Sequence, residues 1–239
     1  MAKTLTSWSV SRYHTYKQCP LKAKLAFIDK IKEPPNDAMA RGAAIHKLCE
    51  DFLKGTIKTL PPELSKPKAE FQVERKRVAK RSLLTVVEDS WALTKAWTKT
   101  RWDDWALCWL RLKLDYAYEH DGTTLRIRDW KTGKFRPDNL DEYLEQLELY
   151  ALVGMIMHPH IQRVEPMLVY LDFGIVYPGA DDQEIVFTRD DIPRLTKAWE
   201  ARVKPMLNDT QFAPKPNRFC SWCHYRKSNK ANGGGQCQY

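Results

Sequence analysis

In the segment RIRDWKTGK, Asp129 and Lys131 stand two residues apart. On a strand that spacing sends both side chains to the same face, so a carboxylate and an ammonium would meet there. Asp115 lies just upstream in LRLKLDYAYEH, and a hairpin centred near Gly122 pairs residues whose numbers sum to about 244, which sets Asp115 opposite Asp129. This parity requires a three-residue connection through Asp121, Gly122 and Thr123; a two-residue turn would shift the register by one and send Asp115 to the other face. Two converging carboxylates repel unless a proton or a cation intervenes, and such oxygen donors suit Mg²⁺ or Mn²⁺. A neighbouring lysine would place or activate a water. Taken alone, a D-x-K triplet is common by chance. Here it has company: His46 on a helical segment behind Arg41 and Gly42, Thr132-Gly133 directly after the lysine, and Gln146 and Tyr150, four apart and so on one helical face.

A second set of reactive residues sits at the chain ends. Cys220 and Cys223 form C-x-x-C, a spacing that lets two thiolates reach one metal centre, and Cys237 follows a glycine-rich stretch able to fold back. Cys19, in a Gln-Cys-Pro context, is the candidate fourth ligand. Spacing alone also describes a Cys₃His zinc site using His224. CSWCH even spells a haem-attachment motif, which without export has no support. Cys49 and Cys108, in HKLCEDFL and WALCWLRL, read as core thiols.

The elements that must position these groups follow from period and punctuation. Ser7 or Ser9 caps a short helix through Tyr16, and Pro20 opens another, PLKAKLAFI. AMARGAAIHKLCEDFLKG places Ile45, Leu48, Cys49, Phe52 and Leu53 at helical spacing and stops at Gly55. KAEFQVERKRVAKR reads as a basic helix. SLLTVVEDSWAL, WALCWLRLKLDYAYEH and TTLRIRDWKTG read as strands, the last two as the hairpin. Residues 141–157 have the period of a helix, RVEPMLVYLDFGIVY and QEIVFTR supply further strands, and DIPRLTKAWEARVKPML a closing helix. Strands grouped between helices predict an α/β fold, a central mixed sheet flanked by helices. Glu50, one turn after His46, is expected to pair with Lys47 or Lys54 rather than a metal.

The chain has 239 residues, room for one filled domain or two small ones at ~100 to 200 residues each. Its 39 Lys and Arg against 30 Asp and Glu leave +9, which favours a polyanionic partner. An apolar fraction of 43% excludes disorder. The longest near-apolar run, 151–157, is far shorter than the ~20 residues of a membrane span. The first residues lack an apolar stretch with a cleavage site, so a soluble, cytoplasmic protein is expected.

With these pieces in order, the sequence resembles the PD-(D/E)XK nuclease superfamily, specifically the RecB-like branch that includes the AddB nuclease domain and the iron-sulfur CRISPR-associated adaptation nucleases. The resemblance spans nearly the whole chain: SWSVSRYHTYKQCPLKAKL, RGAAIH, LKLD, RDWKTGK, QLELY and the cysteine tail. It implies a restriction-endonuclease-like core over residues 41–190 of a single nuclease domain, 1–239. His46, Asp115, Asp129 and the backbone carbonyl of Trp130 would hold Mg²⁺ or Mn²⁺, Lys131 would orient the attacking water, and Gln146 and Tyr150 would contact DNA or support the site. It further implies a 4Fe-4S cluster on Cys19, Cys220, Cys223 and Cys237 that joins segments 1–30 and 208–239. Two positions depart from the pattern: Leu112 stands where the family usually has glycine, and Asp129 where many relatives have glutamate.

The implied activity is metal-dependent DNA exonuclease or end-processing hydrolysis in recombination, repair or phage replication, on DNA that is single-stranded or has free ends, alongside recombination or replication proteins. Arg75, Arg77, Lys80 and Arg81 on the basic helix, and Lys99, Arg101 and Trp102 beyond the first strand, are candidate DNA contacts. Two other classes compete, a non-catalytic DNA-binding accessory module of the same fold and a zinc-containing nucleic-acid-binding protein. An inactive module should have lost ligands, and the zinc reading leaves RDWKTGK unexplained.

Overall fold

β-Branched and aromatic residues crowd the segments that form strands β1 (Thr85–Leu93), β2 (Lys99–Thr100), β3 (Leu110–Glu119), β4 (Thr124–Lys131), β5 (Arg163–Tyr170), β6 (Ile175–Tyr177) and β7 (Phe187–Thr188). The computed structural model describes residues 4–80, 83–135, 140–180 and 182–239. The sheet runs β2-β1-β3-β4-β5-β6, with β7 also pairing β5. All its pairs are antiparallel except β4 with β5, whose parallel pairing requires a crossover. That crossover is helix α5 (Leu140–Met157).

The other helices are α1 (Val10–Gln18), α2 (Pro20–Ala23, passing into a π-helical turn Lys24–Ile28), α3 (Asp37–Leu53), α4 (Lys68–Lys80) and α6 (Ile192–Asn208). Ser9 caps α1 by accepting from the Arg12 amide, and Asn36 caps α3 by accepting from Met39. The chain is thus an α/β fold with a central mixed sheet flanked by helices. On one face, Ile45, Phe52 and Leu53 of α3 and Phe71 of α4 pack against Val87, Tyr116 and Trp130. On the other, α1, α5 and α6 bury Tyr13, Leu149, Trp199 and Val203 with Leu110, Leu112, Leu114 and Ile127. Leu112, which departs from the pattern of the resemblance, is one of these core residues.

Three expectations need correction. The strand anticipated from residue 105 begins at Leu110, because Asp104 turns the preceding segment: its carbonyl accepts from the Cys108 amide and its side chain from the Leu107 amide. The segment RVEPMLVYLDFGIVY is two strands, broken where the Gly174 amide turns back onto the Tyr170 carbonyl. QEIVFTR pairs only through Phe187 and Thr188. Cys49 and Cys108 are buried, as expected of core thiols.

The hairpin register matters most. Tyr116 pairs with Arg128 and Glu119 with Leu125, the expected sum of 244, and the Asp121 carboxylate ties the turn by accepting from the Thr123 and Thr124 amides. Beyond Tyr116 and Arg128 the β3–β4 ladder stops, and Asp115 Oδ2 takes the Trp130 amide at 2.6 Å in place of a main-chain acceptor. β3 continues past the opening, bridged at Leu110 by Trp8.

Candidate active site

The functional side chains gather where that ladder opens. Strand parity sends Leu125 and Ile127 into the α5 core and Trp130 into the α3 core, so Asp129 and Lys131 belong to the α5 side. There Lys131 Nζ lies 2.5 Å from Asp129 Oδ2 and donates to Gln146 Oε1 at 2.9 Å, while Gln146 Nε2 donates to Tyr150 Oη at 2.6 Å. The ammonium also sits 4.4 Å from the centre of the Tyr143 ring. Asp129 is only 2% exposed. Burial first, then the charges of Asp129 and Asp115, raise the Tyr150 phenol well above its ordinary value.

The α3 side contributes the second half. His46 Nδ1 lies 3.2 Å from both Glu88 Oε1 and Asp115 Oδ1, and Nε2 lies 3.1 Å from the Trp130 carbonyl. Both ring nitrogens face only acceptors, so the imidazolium is the form that satisfies both contacts. Burial opposes that charge, but hydrogen bonds to Asp115 and Glu88 outweigh it and raise the pKa to about 10. Burial also pushes Asp115 up to about 6; the His46 hydrogen bond opposes the shift and the charge of Asp129 adds to it.

Glu88 is the residue that sequence reasoning missed. Its φ of 50° is left-handed, and β1–β3 pairing skips it, running from Val87–Tyr116 directly to Asp89–Leu114. Core parity switches at this point on both strands. Val87 and Tyr116 face the α3 core, whereas Trp91, Leu112 and Leu114, which regular alternation would place on that same face, are in the α5 core. The switch turns Glu88 toward His46. The available signal was an acidic residue interrupting an apolar strand pattern, TVVEDSWAL, and no spacing rule distinguishes it from an exposed strand residue.

The motifs flanking these residues are tied together locally. Arg41 pairs bidentately with Asp172 at 3.0 and 2.6 Å, and the same carboxylate accepts the Gly133 amide at 2.7 Å. A Cβ on Gly42 would lie 3.2 Å from Thr132 Oγ1, so the glycine before the histidine lets α3 approach the loop after Lys131. Glu50 pairs with Lys47 and Lys54, as expected.

Ligand atoms of His46, Glu88 and Asp115 lie within 4.8 Å of one another, lining a groove with Gly42, Lys47, Glu50 and Lys113. One imidazole and two carboxylates suit a hard divalent cation such as Mg²⁺ or Mn²⁺. The proton on His46 and the Lys113 ammonium, 3.4 Å from Glu88 Oε2, now neutralise these carboxylates. Asp129 is not one of this trio: it faces Lys131, and its charge reaches Asp115.

At the chain ends, Cys19, Cys220, Cys223 and Cys237 line one cavity. The Lys215 amide points at Cys19 Sγ at 3.4 Å and the Asn217 amide at Cys220 Sγ at 3.3 Å. Asn217 Nδ2 donates to the Gln18 carbonyl and the Tyr225 hydroxyl to the Ile31 carbonyl, docking the tail on the N-terminal helices. The glycine run folds Cys237 back: a Cβ on Gly234 would fall 2.0 Å from the His224 carbonyl, and the Cys237 amide donates to Tyr225. His224 is not among the residues lining the cavity. Among the described residues, no three of these thiols, with or without His224, come within 4.8 Å of one another, whereas thiolates sharing one zinc ion lie about 3.8 Å apart. Four thiols lining one cavity are donors of the kind that a metal centre takes.

The anticipated DNA contacts are dispersed. Arg75 stacks on Phe52 and Arg77 on Tyr118, so both guanidinium groups brace the α4 packing. Lys80 and Lys99 are exposed, Arg101 pairs with Asp103, and Trp102 lies 5.4 Å from the Arg111 guanidinium. Arg81 lies outside the described residues. Trp97 donates to Glu200 and packs edge-on against Trp109.

The model of the PD-(D/E)XK nuclease superfamily matches residues 7–228. No curated protein matches the chain. Among solved structures, one from Eubacterium rectale with a provisional designation as an exonuclease is similar at a TM-score of 0.45 and 11% identity, over 95% of this chain and 88% of that one. A likeness that distant decides neither fold nor chemistry.

Proposed function

This chain belongs to the PD-(D/E)XK nuclease superfamily, and we propose that it is a divalent-metal-dependent DNA exonuclease or end-processing nuclease of the RecB-like branch, stabilised by a 4Fe-4S cluster. The observation that carries the reading is the juxtaposition of His46, Glu88 and Asp115 with the Asp129–Lys131 pair where the β3–β4 ladder opens. His46, Glu88, Asp115, Asp129 and the Trp130 carbonyl would hold Mg²⁺ or Mn²⁺. Such an ion supplies Lewis acidity at the phosphoryl oxygens and stabilises the leaving oxygen.

The chain's own residues do the rest. Lys131 Nζ, steadied by Gln146, aims a hydrogen bond at the attacking water; Gln146 is in turn held by Tyr150. Burial of Asp129 keeps bulk water from screening the pair. Water adds to phosphorus, the bond to the leaving oxygen breaks, and the water's proton passes to a carboxylate of the site.

Cys19, Cys220, Cys223 and Cys237 would hold the cluster as a staple between residues 1–30 and 208–239 of a single nuclease domain. Hydrolysis needs no electron transfer. Recombination, repair or phage replication is the proposed setting, in the cytoplasm; among the described residues no helix is long and apolar enough to cross a membrane.

The test is anaerobic purification with an absorption spectrum, then digestion of end-labelled single- and double-stranded DNA with Mn²⁺ by the wild type and by Asp129→Ala. Digestion by the wild type, abolished by EDTA and lost in the variant, is expected. Equal digestion by both proteins would overturn the site assignment.

A further inference from the structure

Past the ladder opening, Leu110, Leu112 and Leu114 of β3 are buried in the α5 core, so Arg111 and Lys113 occupy the opposite face, which carries the His46 groove. Lys113 is the step next to Asp115, and Arg111 the step beyond. Arg111 is only 9% exposed, yet among the described residues no carboxylate lies within ion-pairing distance. Its Nε contacts Cys108 Sγ at 3.1 Å, and its guanidinium carbon lies 3.9 Å from the centre of the Trp105 ring.

A nearly buried charge without a counter-ion is costly. A second cation, Arg12, has its pKa lowered by burial and then by the charge of Arg111; among the described residues its side-chain hydrogen bonds go only to Ser7, and its guanidinium lies 5.3 Å from the centre of the Phe27 ring. Trp105 covers Arg111 and is itself 76% exposed, leaving an indole face open to solvent. Two unpaired guanidinium groups call for an anion, and the open indole calls for a flat apolar partner. A nucleic-acid strand carries both.

We propose that Lys113, Arg111 and Trp105 form the track along which a single DNA strand reaches the metal site, with a phosphate on Arg111 and a base stacked on Trp105. Two two-residue steps separate Arg111 from Asp115, about 13 Å, which spans roughly two to four nucleotides. Inside a duplex the bases stay stacked on one another, so apart from the face of a terminal pair it has none to offer Trp105. The inference rests on the nuclease reading and names the form of substrate that the site receives.

The test measures binding of fluorescein-labelled (dT)12, (dT)2 and a blunt 12-base-pair duplex in EDTA, where no cleavage occurs, to the wild type, Trp105→Ala, Trp105→Phe and Lys113→Ala. Trp105→Ala should weaken (dT)12 by about 10-fold, within the range of one lost stacking contact, and leave (dT)2 unchanged; Trp105→Phe should restore most of the affinity. Lys113→Ala should lower the salt slope for (dT)12 by about 0.7, one phosphate contact. Unchanged (dT)12 binding in Trp105→Ala, or an equal loss on the duplex, would overturn the track. Cleavage by the wild type with Mn²⁺ is measured in parallel. If the wild type does not cut but the Trp105 effect appears, the nuclease reading fails and the track stands; if it cuts and the effect is missing, the reverse holds.

Discussion

Glu88 combines a strained backbone with a carboxylate in the trio proposed to bind the metal, and two substitutions separate these roles. Its φ is 50°, a region that costs a residue bearing a Cβ about 1 to 2 kcal/mol and glycine almost nothing. Glu88→Ala removes the carboxylate and keeps the strain; Glu88→Gly removes both. Elsewhere in a strand, glycine is less stable than alanine by roughly 0.5 to 1 kcal/mol. Here the order should invert, with the glycine variant about 1 kcal/mol more stable, a melting temperature about 2 to 4 °C higher for a domain of this size. Both variants lose the same ligand, so their Mn²⁺ affinities should fall together by about 10-fold or more, near 1.4 kcal/mol. The assay is thermal melting in EDTA followed by Mn²⁺ titration monitored by calorimetry. A glycine variant that melts at or below the alanine variant would refute the strain argument, and unchanged Mn²⁺ affinity would remove Glu88 from the metal site. If both effects appear, the protein retains local strain at the position that turns its third ligand inward.

Two further predictions concern stability. Glu74 is 3% exposed, and burial, then the charge of Glu70, raise its pKa to about 8 against the opposing charges of Arg128 and Arg77. The folded state therefore holds a proton that the unfolded chain releases near 4.5, so stability present below that pH is lost as pH rises toward 8. Glu74→Gln should melt close to the wild type at pH 5 and about 10 °C above it at pH 8, corresponding to about 4 kcal/mol; parallel wild-type and variant pH profiles would show that Glu74 ionises normally. At the chain ends, Cys19→Ala should lose the brown colour that the proposed cluster would give and melt at lower temperature, because the tail is then held by its hydrogen bonds to the N-terminal helices and by Phe212 packed on Tyr16. A colourless variant as stable and active as the wild type would show that no cluster staples the ends.

Candidate site residues whose meeting depends on short-range geometry are legible before any packing is known. Asp129 and Lys131 meet because strand side chains repeat every second residue, and Gln146 meets Tyr150 because helix side chains repeat at four. The three-residue turn gives the expected register from Glu119–Leu125 to Tyr116–Arg128, but the ladder stops there, and Asp115 binds the Trp130 amide instead of pairing with Asp129. Period and punctuation were likewise enough for α3, α5 and the mixed sheet. Tertiary structure decided the rest. Glu88 enters the site through one left-handed residue that reverses the parity of its strand, a backbone choice that propensity cannot foresee. The basic run of α4 reads as a candidate DNA surface, and only packing shows that Arg75 and Arg77 stack on aromatic rings that come from other elements. Arg111 reads as one more strand residue, yet among the described residues no carboxylate pairs with it, and an exposed indole lies over it. Local periodicity tells which face a side chain takes; only packing between distant segments settles which charges are left without a partner.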